Sequence, residues 1–241
     1  MKLAQSICRL QILLGSLALA LAAGAQTVDA TAHVNVIKGR GASRAAQHSS
    51  ADVVIWLTPA QENVVPSPPR TAQNYTLAQK DKQFVPHILV VRTGSSVDFP
   101  NLDPFYHNVF SLFNGKRFDL GLYEAHTHRA VQFDRDGVSY IFCNIHPEMG
   151  AVVVALSTPY FGISNPDGNV TIHGVPPGAY RLSLWAENVP VDKLHALGRT
   201  VEISSSNTQL GAFELQASGD IMTHHQNKFG EAYPPAAKET Y

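Results

Sequence analysis

Residues 142–149 read FCNIHPEM, which places Cys143, His146 and Met149 at intervals of three directly after an apolar run. A thiolate, imidazoles and a weakly bound thioether form the ligand set that holds both Cu(I) and Cu(II) with little rearrangement. The whole chain has only two cysteines and three methionines, so this spacing is hard to attribute to chance. The stretch therefore predicts one mononuclear copper site.

A second histidine ligand must come from another part of the chain, and the best candidate is His107. It lies in residues 101–110, NLDPFYHNVF, after the apolar run 97–99. An imidazole brought from a distant strand lets the fold, rather than the ion, set the geometry of the site. Each residue alone has an ordinary explanation as an inert core thiol, a satisfied histidine or a gap-filling methionine. Only their combination argues for a metal.

The chain around these residues resembles the cupredoxins, which are blue copper proteins. The short ligand loop is similar to that of amicyanin, whereas plastocyanin has a longer one, and residues 75–158 follow the cupredoxin order of segments. Within the family the nearest resemblance is to exported proteins often labelled methylamine-utilization proteins. The motifs shared with them are Phe-Val-Pro-His at 84–87, Phe-Pro-Asn at 99–101 and Cys-Asn-Ile-His at 143–146.

This resemblance implies a role for each site residue. His107, Cys143 and His146 would be the equatorial ligands of a type 1 copper, and Met149 would be the axial one. Asn108 would hydrogen-bond across the site and lock the two ligand segments together, as residues behind metal ligands commonly do. The expected electron port is the second histidine of the loop, His146.

Two departures from the family pattern concern the loop itself. Asn144-Ile145 stands where Thr-Pro or Ser-Pro is usual, and Glu148 lies inside the loop. These departures leave the reduction potential open, but not the ligand set. Phe105, Tyr106, Pro147 and Gly150 are candidate neighbours of the port, although ordinary packing explains them equally well.

The rest of the sequence shows β patterning, with short apolar runs separated by turn residues such as Asn-Pro-Asp-Gly at 165–168. The pattern predicts an all-β chain, a cupredoxin Greek-key β-sandwich at 74–158 with a second, smaller sandwich. Residues 159–216 resemble the carboxypeptidase regulatory-like, transthyretin-type sandwich but lack its first two strands. Residues 27–60 supply two spare strands. We therefore predict one discontinuous sandwich, built from 27–60 and 159–216, into which the cupredoxin is inserted.

The first 25 residues have the pattern of a secretory signal peptide, with basic residues, an apolar run and Ala-Gly-Ala before Gln26. This pattern predicts a periplasmic or secreted protein. Cys8 would be removed with the signal, so Cys143 would have no internal disulfide partner. The prolines of residues 58–70 suggest a linker, and residues 217–241 suggest a flexible tail.

Composition and motifs restrict the function. Lys and Arg number 18 against 19 Asp and Glu, which disfavours nucleic-acid binding. The chain lacks the repeated His-x-His pattern of multicopper oxidases, and no enzyme motif is evident. The leading prediction is an exported, non-enzymatic carrier of single electrons between redox proteins. Copper binding and delivery without electron transfer is the alternative, and a sandwich that recognises a polysaccharide or protein also stays open.

The remaining histidines allow a second metal site. His126 and His128 would share one face if their segment is extended, and His87 would lie on a nearby strand. Exposed loop histidines are the simpler interpretation. The pair His224-His225 in the tail is equally open, and so are the redox partners and the oligomeric state.

Overall fold

The computed structural model describes residues 26–38, 49–61, 74–112, 115–218 and 226–233. The predicted signal peptide and most of the proline-rich stretch lie outside these ranges. Within them the chain is almost entirely β-structure, so the predicted fold class is confirmed. The elements are β1 (Val28–Ile37), β2 (Val54–Pro59), β3 (Asn74–Thr76), β4 (Ala78–Lys80), β5 (Gln83–Val85), β6 (Ile88–Arg92), β7 (Ser95–Pro100), β8 (His107–Ser111), β9 (Phe118–Tyr123), β10 (His128–Phe133), β11 (Gly137–Phe142), β12 (Gly150–Leu156), β13 (Phe161–Ile163), β14 (Asn169–Val175), β15 (Gly178–Trp185), α1 (Val191–Leu197), β16 (Arg199–Ile203) and β17 (Gln209–Gln216).

The first sandwich packs a five-stranded sheet, in the order β6-β12-β11-β8-β9, against a three-stranded sheet, β10-β7-β3. Alternate residues of each strand point into the space between the sheets, as the two-residue period of a strand requires. On β7, for example, Val97 and Phe99 are buried while Ser96, Asp98 and Pro100 are partly exposed. The shared core also includes Ile141, Cys143 and Met149, so the candidate ligand loop is anchored in it.

The second sandwich consists of the sheets β14-β1-β17 and β13-β2-β15-β16. Val34 of β1 lies opposite Phe213 of β17, and Val54 of β2 lies opposite Ile163 and Trp185. Both strands from the beginning of the described chain therefore pair with strands of residues 161–216. Their inward side chains form one apolar core.

The two sandwiches meet across the five-stranded sheet. On β12, Val152 and Val154 pack into the core of the second sandwich, whereas Ala151 and Val153 face the first core. Every residue of β12 after Gly150 is buried. A strand buried on both faces reads as a continuous apolar run, which is how this segment appears in the sequence.

The short helix α1 lies between β15 and β16. It buries Leu194 against the second sandwich. No helix in the described part of the chain is long and apolar enough to span a membrane.

A polar link also joins the sandwiches. His87, just before β6, contacts Glu187 Oε2 through Nε2 at 2.9 Å and the Gly150 carbonyl through Nδ1 at 3.2 Å. Only the imidazolium donates from both nitrogens. The hydrogen bond to Glu187 raises the pKa of His87 against the opposing effect of burial, and the charges of Glu187 and Asp52 act in the same direction.

We predict that the contact between His87 and Glu187 stabilises the fold mainly at low pH. A raised folded-state pKa adds stability that is complete below the unfolded value near 6.5 and disappears as the pH rises through the folded value. Glu187→Gln should therefore lower the free energy of unfolding by roughly 0.2–1 kcal/mol at pH 5.5 and by less at pH 8.5. Urea denaturation at the two pH values measures this. In a His87→Gln background the pH dependence should vanish, and an equal loss at both pH values would contradict the assignment.

Candidate metal centre

A β-hairpin builds most of the site. β11 and β12 pair antiparallel, with Phe142 opposite Gly150, so residues 143–149 form the connecting loop. The loop closes on itself: the Cys143 N–H donates to the Met149 carbonyl at 3.2 Å, and the Met149 N–H donates to the His146 carbonyl at 3.1 Å. The segment with the three-residue spacing thus forms a compact turn, which brings Cys143, His146 and Met149 close together.

The neighbouring strand supplies the second imidazole. β8 lies beside β11, with Phe110 opposite Phe142, and His107 is the first residue of β8. Because the strands run antiparallel, the start of β8 lies at the same edge of the sheet as the end of β11. His107 therefore reaches Cys143 although 36 residues separate them.

Three donor atoms converge at this edge. Cys143 Sγ lies 3.8 Å from His107 Nδ1 and 3.6 Å from His146 Nδ1, and the two Nδ1 atoms are 3.1 Å apart. The point equidistant from the three atoms is about 2.0 Å from each, close to the ~2.0–2.3 Å bonds that imidazole and thiolate make to metal ions. The donors therefore fit an ion without rearrangement of the fold.

The three donors differ in exposure. His107 and Cys143 are fully buried, whereas His146 is partly exposed. Met149 is also fully buried and packs in the same core cluster as Cys143. The predicted ligand residues thus lie together at one end of the first sandwich, with one imidazole towards solvent.

Burial disfavours the charged forms of Cys143 and His107. It raises the pKa of the Cys143 thiol against the backbone N–H groups of Asn108, Ile145 and His146, which favour the thiolate. It also lowers the pKa of His107, an effect that the Asp103 carboxylate only partly offsets. A cation that binds here must displace the thiol proton, so its binding releases a proton.

Asp103 orients the buried imidazole, a role that the sequence analysis did not assign. Its Oδ2 accepts from His107 Nε2 at 2.8 Å. The carboxylate is itself held by the backbone N–H groups of Asp81, at 2.6 Å, and Lys82, at 3.0 Å. Burial would raise the pKa of Asp103, but these N–H groups and His107 hold it below its usual value. With Nε2 fixed as the donor, Nδ1 of His107 keeps its lone pair for the ion.

Asn108 contacts the site differently from the expectation. Its side-chain Nδ2 donates to Asp119 Oδ1 at 2.8 Å, and its Oδ1 has no partner among the described residues. Its backbone N–H faces the Cys143 sulfur. Consecutive side chains of a strand point to opposite faces, so the residue after His107 directs its amide away from the imidazole.

Phe105 covers the two imidazoles. Its ring centroid lies 5.2 Å from that of His107 and 5.7 Å from that of His146, and Lys82 Nζ lies 5.5 Å from the Phe105 ring. Of the other residues near the ligands, Tyr106 is 53% exposed and Ile145 is 43% exposed. An apolar surface therefore borders the partly exposed imidazole.

The remaining histidines are arranged for other contacts. His128 Nδ1 pairs with Asp98 at 2.7 Å, and His87 contacts Glu187. His126 has a φ of 59° and its N–H donates to the Asn101 carbonyl, so it lies in a turn. The segment is therefore not extended at His126, and the exposed positions of His126 and His128 agree with the simpler interpretation as loop histidines. In the described ranges, only the group of His107, Cys143 and His146 brings three or more His, Cys, Asp or Glu ligand atoms together, and His224-His225 lies outside those ranges.

Comparisons with known proteins give three kinds of result. Residues 156–210 match the family model described as "Polysaccharide lyase family 4, domain II". No curated protein matches the chain.

Several solved structures are similar to parts of the chain. A purple cupredoxin from Nitrosopumilus maritimus is 20% identical over 34% of this chain and 99% of its own, with a TM-score of 0.31. Amicyanin from Paracoccus versutus is 21% identical over 42% and 97%, with a TM-score of 0.32. The Cu-containing nitrite reductase from Thermus scotoductus SA-01 is 17% identical over 50% and 28%, with a TM-score of 0.34. The likeness to methylamine-utilization proteins and to the carboxypeptidase regulatory-like sandwich stays a prediction.

We predict that Asp103→Asn lowers the affinity of the site for Cu(II) by about 10- to 100-fold, the usual cost of losing a partner of a ligating histidine. The amide does not hold His107 Nε2 as an anionic acceptor does. Competition against a chelator measures the change. Asp134→Asn, which removes a charge from the exposed pair with Lys116, is the control. Equal affinity of Asp103→Asn and the unmodified protein would show that the contact does not orient the ligand.

Proposed function

We propose that this chain is an exported type 1 copper protein that carries single electrons between redox partners. The observation that supports the proposal best is the convergence of Cys143 Sγ and of the Nδ1 atoms of His107 and His146 around one point. Bound copper would supply the one-electron chemistry. His107, Cys143 and His146 would hold it, and Met149 would add a weak axial thioether. Export follows from the predicted signal peptide.

The protein's own part is to hold the ligands still. Fast electron transfer requires that the ligands move little between the two oxidation states, and a closely packed interior resists such movement. Cys143, Met149 and His107 are buried, and Asp103 fixes the ring of His107. The loop lies at the end of a sheet that is covered on both faces. These restraints favour a carrier.

The point of electron entry would be His146. It is partly exposed, whereas the other two donors are buried, and it is bordered by Phe105 and by the exposed side chains of Tyr106 and Ile145. An apolar surface around an exposed ligand suits brief contacts with a partner, because it is desolvated easily. The partners would be redox proteins that dock here.

Copper delivery is the second candidate from the sequence. Delivery requires that an acceptor replaces the ligands one by one, and the burial of Cys143 and Met149 opposes such an exchange. Transfer to a copper-free acceptor peptide measures delivery, and oxidation of the reduced protein by a small-molecule oxidant measures electron transfer. The proposal requires the second process to be much faster than the first.

The second sandwich has no chemical role in the proposal. We propose that it is one discontinuous domain of residues 27–60 and 159–216 that carries the first sandwich, residues 74–158, as an insertion. The pairing of β1 with β14 and β17 and of β2 with β13 and β15 supports this division. The name of the matching polysaccharide lyase domain describes that family, and a carbohydrate ligand for this chain is not proposed.

We predict an intense visible thiolate-to-copper band after one equivalent of Cu(II), and its loss after ascorbate. Cys143→Ser should lack the band altogether, because the serine hydroxyl gives no such transition. Absorption spectroscopy of the chain without its first 25 residues checks both. Metal binding without the band would exclude the electron-transfer proposal, and a blue Cys143→Ser protein would exclude the ligand assignment.

We predict that Met149→Leu keeps the copper but changes its reduction potential, since the axial thioether tunes the potential more than it holds the ion. Leucine has nearly the same volume and stays apolar, so the core should lose less than ~1.5 kcal/mol. Voltammetry and thermal unfolding measure the two effects. An unchanged potential would place the thioether outside the coordination sphere.

A further inference from the structure

A segment near the C-terminus lies against the ligand loop. Residues 226–233, which we name the C-terminal strap, belong to the stretch that the sequence analysis predicted to be a flexible tail. The backbone N–H of Lys228 donates to Asn144 Oδ1 at 2.9 Å, and the Tyr233 hydroxyl donates to the Cys143 carbonyl at 2.8 Å. The strap thus bonds to one ligand residue and to the residue that follows it.

The strap is also connected, through Asp119 of β9, to β8, the strand that carries His107. Lys228 Nζ pairs with Asp119 Oδ2 at 2.8 Å, and Asp119 Oδ1 accepts from Asn108 Nδ2 at 2.8 Å. Asp119 therefore joins the strap to the residue after His107. Its other hydrogen bond, from the Gly121 N–H at 2.9 Å, fixes the carboxylate on β9.

These contacts form a continuous polar chain from Asn108 through Asp119 and Lys228 to Asn144. The family resemblance assigned the linking of the two ligand segments to Asn108 alone. In this structure the amide of Asn108 points to Asp119, and Lys228 completes the connection to the loop. The strap thus adds a second connection between the two ligand segments to the contact of the Asn108 N–H with the Cys143 sulfur.

The strap is organised for this role by its own hydrogen bonds. Asn227 Oδ1 accepts from the N–H groups of Phe229 and Glu231, both at 2.9 Å, and the Asn227 N–H donates to the Glu231 carbonyl at 2.9 Å. Gly230 has a φ of +79°, which a residue with a side chain rarely adopts. A turn closed in this way loses less freedom when it docks than an open chain does.

We infer that the C-terminal strap is part of the metal centre, and that Lys228 and Tyr233 are positioning residues that hold the ligand loop and slow the release of its ion. The inference rests on the proposed function only for its copper measurements. Its first test uses the metal-free chain, so the two can fail separately.

The first test is hydrogen exchange of the amides of residues 143–149 in the metal-free protein. Tyr233→Phe removes the hydroxyl that donates to the Cys143 carbonyl, so exchange should accelerate about fivefold. Lys228→Met removes the cation but keeps the backbone donor, and the double variant should accelerate exchange more than tenfold. Lys116→Met is the matched control, because it removes the cation of another Lys–Asp pair, that of Lys116 with Asp134 at 3.1 Å, which belongs neither to the strap nor to the ligand loop. Unchanged exchange in the double variant, or an equal change in Lys116→Met, would overturn the inference.

The second test uses the protein loaded with one equivalent of Cu(II). Release to EDTA should be about fivefold faster in Tyr233→Phe and more than tenfold faster in the double variant. The reduction potential should also shift, which a loss of overall stability alone would not cause. Lys228→Arg keeps the charge beside Asp119 and should restore the values of the unmodified protein. Release and potential equal to those of the unmodified protein in the double variant would overturn the inference, whereas absence of a thiolate band in the unmodified protein would overturn the proposed function instead.

Discussion

The register of β11 is the constraint on which the site depends. Phe142 lies opposite Gly150 on one side and opposite Phe110 on the other, and this double pairing places Cys143, the loop that follows it and the start of β8 at one edge of the sheet. A slip by one residue would turn the thiol to the opposite face of the sheet. The register is in turn held by burial, because β11 and β12 lie in a sheet with an apolar core on each side. Ligand geometry is therefore a property of the fold as a whole.

Much of the fold and most of the site can be predicted from the sequence, because the signals that indicate them lie within short segments of the chain. The strands have a two-residue apolar period, and three candidate ligands lie within seven residues, so both signals fit in a short window. Asp103 acts through a polar contact to His107, four residues further on, and Lys228 acts through polar contacts to Asn144 and Asp119, which lie far away in the chain. Neither kind of contact leaves a periodic trace in the sequence. The sequence left the conformation of the His126–His128 segment open, because a positive φ depends on the tertiary environment of the turn. The short strands β3, β4, β5 and β13 are likewise defined by their partners more than by their own residues.

One sheet serves two cores, which couples the sandwiches. Val152 and Val154 stabilise the second sandwich, while Ala151 and Val153 lie in the core that contains the thiol. The contact of His87 with Glu187 and with the Gly150 carbonyl adds a polar connection at the end of the ligand loop. A change in packing on either side of β12 is thus transmitted through a single strand. The packing of the second sandwich therefore affects the geometry of the site, although that sandwich supplies none of the candidate ligands.

The parallel pairing of β1 with β17 brings an early strand of the described chain beside its last one. Contacts between such distant segments form slowly, because a long loop must close before they contribute any free energy. The strands β3 to β12 pair with one another, so their pairing does not depend on closing that long loop. During synthesis from the N-terminus, the chain would therefore complete the five-stranded sheet that carries the ligand loop before β17 is available to pair with β1. The ligand residues would be brought together before the second sandwich and the C-terminal strap are in place, so these two parts would stabilise a site whose geometry is already set.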